Sequence, residues 1–274
     1  MISDTNSAGS IVQHAKIHLL YHELRPSRTD YSYVTGTELF RDHIDFYAEL
    51  TATANVVQPV ITFDDGHVSN YEYAAPILAS RNLTAHFFLT VGWIENRVGF
   101  MNWSQVRALH DAGHFIGAHG WSHIFLNRCS PAMLDNEILR ARLTLEDHLG
   151  AAVTAMSLPG GRANRRVFLA CRAAGYHHVY TSVPQISCTQ NDFTIGRLNI
   201  RASMSKDRMV ALFSDPYRSI AHLRRTQQIK STAQSVLGDR LYFSLWRVMN
   251  RKKSDDESSA LKRMDDSSHL NKGN

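Results

Sequence analysis

The sequence predicts an α/β protein: a parallel sheet or barrel with helices on the outside. Two observations carry that reading. From about residue 56 onward, short apolar, β-branched runs alternate with stretches of helical spacing. Polar clusters follow directly behind several of those runs, where loops converge at the C-terminal ends of parallel strands. With 43% of its 274 residues apolar, the chain has material for one large core or two small ones.

The elements follow in order. Residues 1–15 read as a polar, flexible lead-in, and Ile17-His18-Leu19-Leu20-Tyr21 as a short buried strand. Residues 56–63 form a continuous apolar run typical of an interior strand, and 69–80 have helical spacing. Residues 85–91 read as a strand and 103–112 as a helix, opened by Asn102 or Ser104 and closed by Gly113. Residues 115–118 form a strand. The strongest amphipathic helix spans 131–149, with Ser130 as N-cap, Pro131 in the first turn and Gly150 at the end. A strand over 152–158, a helix over 164–174 ended by Gly175 and a strand over 178–182 complete the alternation. From Ser254 on the text is polar and predicts a disordered tail.

Charge is unevenly spread. Residues 1–200 hold 15 basic and 17 acidic side chains, whereas residues 201–253 hold 12 and 3. The body therefore has no electrostatic footprint for nucleic acid, and no nucleic-acid partner is expected. Cys129, Cys171 and Cys188 cannot build a disulfide framework. No run approaches the ~18 apolar residues of a membrane span, and the first residues lack the basic-then-apolar order of a secretory signal. The expectation is a cytoplasmic protein.

Two clusters carry chemistry. Asp64 and Asp65, in Thr62-Phe63-Asp64-Asp65-Gly66, end a strand; adjacent buried carboxylates repel and lose hydration unless a cation is near. One can bind a metal while the other faces away and serves as a base; a solvated Asp-Asp-Gly turn is the plainer reading. His119 and His123, in His119-Gly120-Trp121-Ser122-His123, end another strand, and a helical turn there would put both imidazoles on one face. Together the clusters offer two nitrogens and one oxygen, leaving positions open for water and substrate as a catalytic metal requires.

These motifs, with Tyr176 behind Gly175, resemble the polysaccharide deacetylase family, also called the NodB-homology or carbohydrate esterase 4 family. Residues 74–78, 84–88 and 112–117 resemble it as well, and the likeness runs from about Ile17 to Ile200. The resemblance implies a distorted (β/α)7 barrel, a divalent metal ion that is often zinc, and removal of acetyl groups from N-acetylated sugars. It implies that Asp65, His119 and His123 bind the metal and that Asp64 is the general base. Pro159 and Gly160, in Pro159-Gly160-Gly161, match the family's third motif, which makes the Gly160 amide a candidate oxyanion donor. Trp121 could stack on a sugar face or plug the barrel.

The sequence also departs from the family. Ser157 stands where many members carry an arginine that orients the base, and Arg162 lies on the far side of the Pro-Gly-Gly. The later Asp-containing motif is absent, since 181–184 read Thr-Ser-Val-Pro, and 196–200 contain no late Leu-x-His general acid. His22, behind Leu19-Leu20-Tyr21, resembles the histidine of a subgroup that deacetylates poly-N-acetylglucosamine, where it protonates the leaving amine; an imidazole near its ordinary pKa suits that task. A strand-end core histidine is the alternative, and His67 is a second candidate acid. His114 is expected to pack.

The chain thus divides into a lead-in (1–15), a barrel (16–205), a basic amphipathic helical extension (206–253) and a tail (254–274). The extension mixes arginines with Leu241, Tyr242, Phe243 and Trp246, which suits peripheral contact with an anionic inner membrane surface or simple packing on the barrel. The expected function is metal-dependent deacetylation of an N-acetylated carbohydrate. The alternatives are hydrolysis of another C–N amide or an O-acetyl ester, an inactive carbohydrate-binding module, or an adaptor driven by the basic segment.

Overall fold

The computed structural model describes residues 15–229, apart from 28–30, 55 and 190. Seven parallel strands close into a barrel: β1 (Lys16–Tyr21), β4 (Gln58–Phe63), β5 (Ala85–Leu89), β6 (Phe115–Ala118), β7 (Ala155–Ser157), β8 (His178–Thr181) and β10 (Thr194–Asn199). Closure comes from β10, which pairs with β8 on one side and with β1 on the other, His18 opposite Arg197. The short β9 (Ile186–Ser187) runs antiparallel to β1, and β2 (Glu23–Arg25) with β3 (Val34–Gly36) form a separate parallel pair. The barrel that the resemblance implied is therefore present.

Helices wrap the barrel between strands: α1 (Thr37–Thr51), α2 (π-wound over Asn70–Ala74, α over Ala75–Ala79), α3 (Trp103–Asp111), α4, α5 (Arg165–Ala173) and α6 (Lys206–Ser214). Helix α4 is α-helical over Pro131–Asp135, π-wound over Asn136–Arg140 and α-helical again over Ala141–Leu149. Its ends are as the sequence predicts: the Met133 N–H donates to Ser130 Oγ, and Gly150 is left-handed at φ 64°. Asn102 opens α3 with a full capping box.

Period-2 alternation sorts the strand residues into two cores. Ile17, Leu19, Tyr21, Phe63, Phe87 and Leu89 face outward and pack with Phe40, Ile44 and Tyr47 of α1 and with the other helices. Phe88, Ala155, Tyr180 and Ile195 fill the barrel interior. The strand predicted over 152–158 is shorter, covering Ala155–Ser157. Helix α1 and strand β10 were not anticipated. In β10 the apolar alternation is broken by Gly196 and Arg197, and in α1 the buried face includes His43.

Helix α6 and the helical residues 216–229 pack onto the barrel body. Phe213 lies 5.9 Å from Phe46 and 6.1 Å from Tyr47, Ile220 is buried, and Gln227 Nε2 donates to Ser182 O. Arg218, Arg224 and Arg225 stay exposed. The predicted lead-in up to residue 14, the extension over 230–253 and the tail over 254–274 lie outside the described residues. Among the described residues no helix is long and apolar enough to cross a membrane.

Candidate metal and catalytic centre

The two aspartates leave the end of β4 in different directions because Asp65 is left-handed, at φ 76°, and Gly66 follows at φ 85°. Asp64 is buried, and both of its oxygens are occupied. Arg197 meets it bidentately, Nη1 to Oδ1 and Nη2 to Oδ2 at 2.7 Å each, and Ser157 Oγ donates to Oδ2 at 2.9 Å. Arg197 is itself fully buried, and it also donates to Ser157 Oγ, Thr62 Oγ1 and Thr181 O. Burial would raise the Asp64 pKa, but Arg197 and His119 outweigh it and hold the carboxyl below its ordinary value.

Asp65 faces the two histidines. Its Oδ1 lies 3.4 Å from His119 Nε2 and 3.2 Å from His123 Nε2, and it is a buried oxygen with no hydrogen-bond partner. The ligand atoms of the three side chains all lie within 4.8 Å of one another. Zinc bonds of about 2.0–2.2 Å put neighbouring ligands of a tetrahedron about 3.3–3.6 Å apart, close to the two spacings found here. The protonation pattern fits as well: His119 Nδ1 donates to Ser157 O at 3.0 Å, which leaves the Nε2 lone pair facing Asp65. Burial alone would raise Asp65 and lower His119. Instead His123 and His119 hold Asp65 well below the carboxylate range, and Asp64 and Asp65 push His119 up. Such a set attracts a cation.

The histidine pair is not on a helical turn, as its spacing had suggested. Gly120 (φ 79°) and His123 (φ 61°) are left-handed, and the segment runs through turns. Its carbonyls accept from the strand β5–α3 connection, Val91 N–H to Gly120 O and Gly92 N–H to Trp121 O. Close passage at Gly92 packs the Trp121 indole there, and Arg140 covers the ring at 3.4 Å. Trp121 is thus wedged between α4 and that connection. The indole beside the site is Trp93, its ring 5.2 Å from His123.

Pro159 is buried and Gly160 exposed, in a turn directly after β7. Gly160 is left-handed, and a Cβ there would come within 2.5 Å of the Phe125 ring, so the backbone conformation and the contact both require glycine. Arg162 does not substitute for the absent arginine: its guanidinium lies over Phe125 at 4.7 Å. Arg197 makes the contact with Asp64 instead. Sequence reasoning missed it because β10 had not been recognised; a lone arginine inside an apolar strand was the available signal.

His22 sits at the end of β1 with a buried Nδ1 that has no hydrogen-bond partner, edge-on to Tyr33 at 5.4 Å. Burial lowers its pKa, while Asp65 and Asp64 act in the opposite sense, so it lies within the field of both carboxylates. His67 is tied into its own turn, Nδ1 with Ser69 and Nε2 3.9 Å from Glu23. His114 packs as expected, accepting from Ala85 N–H and meeting Phe87 edge-on.

The molecule is a closed seven-stranded parallel α/β barrel with an Asp-His-His cluster at its C-terminal end that could hold a metal ion. Residues 53–179 match the family model described as polysaccharide deacetylase. Similar curated proteins include the chitin deacetylase of Pestalotiopsis sp, 26% identical over 60% of this chain and 55% of its own. The peptidoglycan-N-acetylglucosamine deacetylase of Bacillus cereus is 30% identical over 44% of this chain and 55% of its own. Among solved structures, the Streptococcus pyogenes deacetylase PplD in complex with acetate superposes with a TM-score of 0.64 at 19% identity, covering 73% of this chain and 98% of that one. The chain spans about half the length of the curated relatives it matches. His22 and Arg197 both lie outside the matched segment.

Proposed function

We propose that this protein is a metal-dependent hydrolase that removes an N-linked acetyl group from an N-acetylated amino sugar of a polysaccharide or glycan precursor. The observation that carries the reading is the pairing of an orphaned Asp65 oxygen, flanked by two imidazole nitrogens, with a neighbouring Asp64 held in place by Arg197. Relatives whose names specify chitin and peptidoglycan N-acetylglucosamine support the substrate class.

Asp65, His119 and His123 would hold a divalent ion, with zinc favoured by the N/N/O donor set. When bound, that ion polarises the acetamide carbonyl and lowers the pKa of water. Asp64 takes the proton of the attacking water. The bidentate Arg197 aims that carboxylate and keeps it ionised at neutral pH, at some cost in basicity. The Gly160 amide is the donor for the oxyanion. His22, carrying a ring nitrogen with no other partner, delivers a proton to the departing amine.

Acetate release from chitooligosaccharides by the zinc-loaded protein tests the reading, with Asp64→Asn as the control. Turnover that survives Asp64→Asn, or zinc binding with no acetate released from any N-acetylated glycan, would overturn it. Release from O-acetylated substrates alone would point to the ester reading. His22→Ala is expected to lower kcat about 10²–10⁴-fold with zinc affinity unchanged; unchanged turnover removes His22 from the mechanism.

A further inference from the structure

The loop that carries the two histidines is held from outside the site by one buried carboxylate. Glu137 of α4 is 3% exposed, and its Oε2 accepts from two consecutive backbone amides, Trp121 N–H at 3.0 Å and Ser122 N–H at 2.9 Å. Its Oε1 accepts from the Ser122 hydroxyl at 2.5 Å. Both amides belong to residues lying between His119 and His123. With the Gly120 and Trp121 carbonyls already taken by Val91 and Gly92, the loop is pinned on both sides.

The local winding of α4 goes with this contact. Glu137 lies in the π-wound turn Asn136–Arg140, and Tyr176 Oη donates to the Ile138 carbonyl there. Arg140, at the end of the same turn, lies over the Trp121 ring. Gly120 completes the fit: a Cβ on it would stand 3.2 Å from Glu137 Oε2. One turn of one helix thus reaches the loop through a carboxylate and a guanidinium, while Gly120 lets the backbone approach.

We propose that Glu137 is a positioning residue for the metal site, acting through the 120–122 backbone to hold His123 in its left-handed conformation opposite His119 and Asp65. The inference rests on the metal-binding reading given above. A loop left to itself pays conformational entropy on binding the ion; a loop already tied down does not. Outer contacts of this kind change metal affinity by about 10–100-fold when removed.

The test compares zinc affinity of the full chain, by competition with a chromophoric chelator, for the parent, Glu137→Ala, Glu137→Gln and Ser122→Ala. The visible spectrum of the cobalt-substituted protein and the melting temperature without metal are recorded for each. Glu137→Ala is expected to weaken zinc about 10–100-fold and alter the cobalt spectrum. Glu137→Gln, whose amide oxygen can accept from both backbone N–H groups, should recover most of the loss. Ser122→Ala, which removes only the hydroxyl bond, should weaken zinc less than Glu137→Ala does. A folded Glu137→Ala with a lowered melting temperature but unchanged zinc affinity and cobalt spectrum would show a purely structural role and overturn the proposal. If Glu137→Ala does not fold, Ser122→Ala decides: zinc affinity equal to the parent's overturns the proposal, and a weaker one supports it. A parent that binds no divalent ion would fail the metal reading itself, and this inference with it.

Discussion

At the C-terminal end of the barrel, His119 lies 3.4 Å from Asp65 and 3.8 Å from Asp64, and those carboxylates push its pKa up against the effect of burial. Toward the other end, His18 is buried and His86 half-buried beside Tyr180, and no carboxylate offsets their desolvation. His18 is held well below its ordinary pKa, and His86 falls to about 4. The same side chain in the same barrel is therefore poised to be charged, or to bind a cation, at one end and kept neutral at the other. Burial is common to both ends; the carboxylates are not. A chain rich in histidine reveals its site only through the company each histidine keeps.

The comparison breaks most visibly at Arg197. It is the cation that makes a buried Asp64 tolerable, so Arg197→Met leaves that carboxylate uncompensated. The expected loss of stability is about 3–5 kcal/mol, read from denaturant melts. Asp64 should also become easier to protonate, moving the acid limb of the pH–rate profile to higher pH. Arg162→Ala, which removes only a contact with Phe125, should change stability by no more than about 0.5 kcal/mol. Equal effects of the two variants would contradict the assignment of Arg197 as the partner of Asp64.

Next in size is the metal. At a zinc concentration about 100 times Kd, a site present only in the folded state adds about 2.7 kcal/mol to stability, and a chelator removes it. Asp65→Ala should abolish that gain, whereas His18→Gln and His86→Gln, at the other end of the barrel, should leave it intact. Thermal melts with and without zinc measure it directly. A zinc-dependent shift that survives Asp65→Ala would place the ion elsewhere.

How much of this was legible in the sequence follows from the same contrast. Asp65, His119 and His123 stand at the ends of apolar strands that are easy to recognise, so the parallel architecture alone brings them together. Gly160 is legible for a related reason, as part of a turn directly behind β7. Arg197 is not, because Gly196 and the charge itself interrupt the apolar alternation of β10, and its partner is 133 residues away in the chain. Glu137 was hidden for another reason: on a helix predicted as uniformly amphipathic, one glutamate looks like part of the solvated face. Only the π-wound turn and the approach of Gly120 show that it points inward. Which tryptophan stands beside the cluster depends on a backbone contact at Gly92 that no local pattern records: Trp121 packs there, and Trp93 lies against His123.

The smallest expected effect is the most specific to the comparison, since the two ends should respond to pH with opposite sign. His86 has a folded pKa of about 4, below the ordinary value near 6.5, so its contribution to stability is fully present above pH 6.5 and is lost as pH falls toward about 4. His18 acts in the same direction. Without metal, His119 is raised, so its contribution is fully present below pH 6.5 and is lost as pH rises through its folded pKa. Zinc takes the place of the proton on His119 and should remove the alkaline loss; because protons displace it, the stability it adds should itself be lost in acid, on top of the loss from His86 and His18. His86→Gln should do the reverse, flattening the acid limb between about pH 6.5 and 4 and leaving the alkaline limb of the metal-free protein as it was. Stability measured against pH for these two proteins, each with and without zinc, separates the ends. Loss of the metal-free protein's alkaline limb in His86→Gln would mean that the two sets of histidines titrate as one system, contrary to the division drawn here.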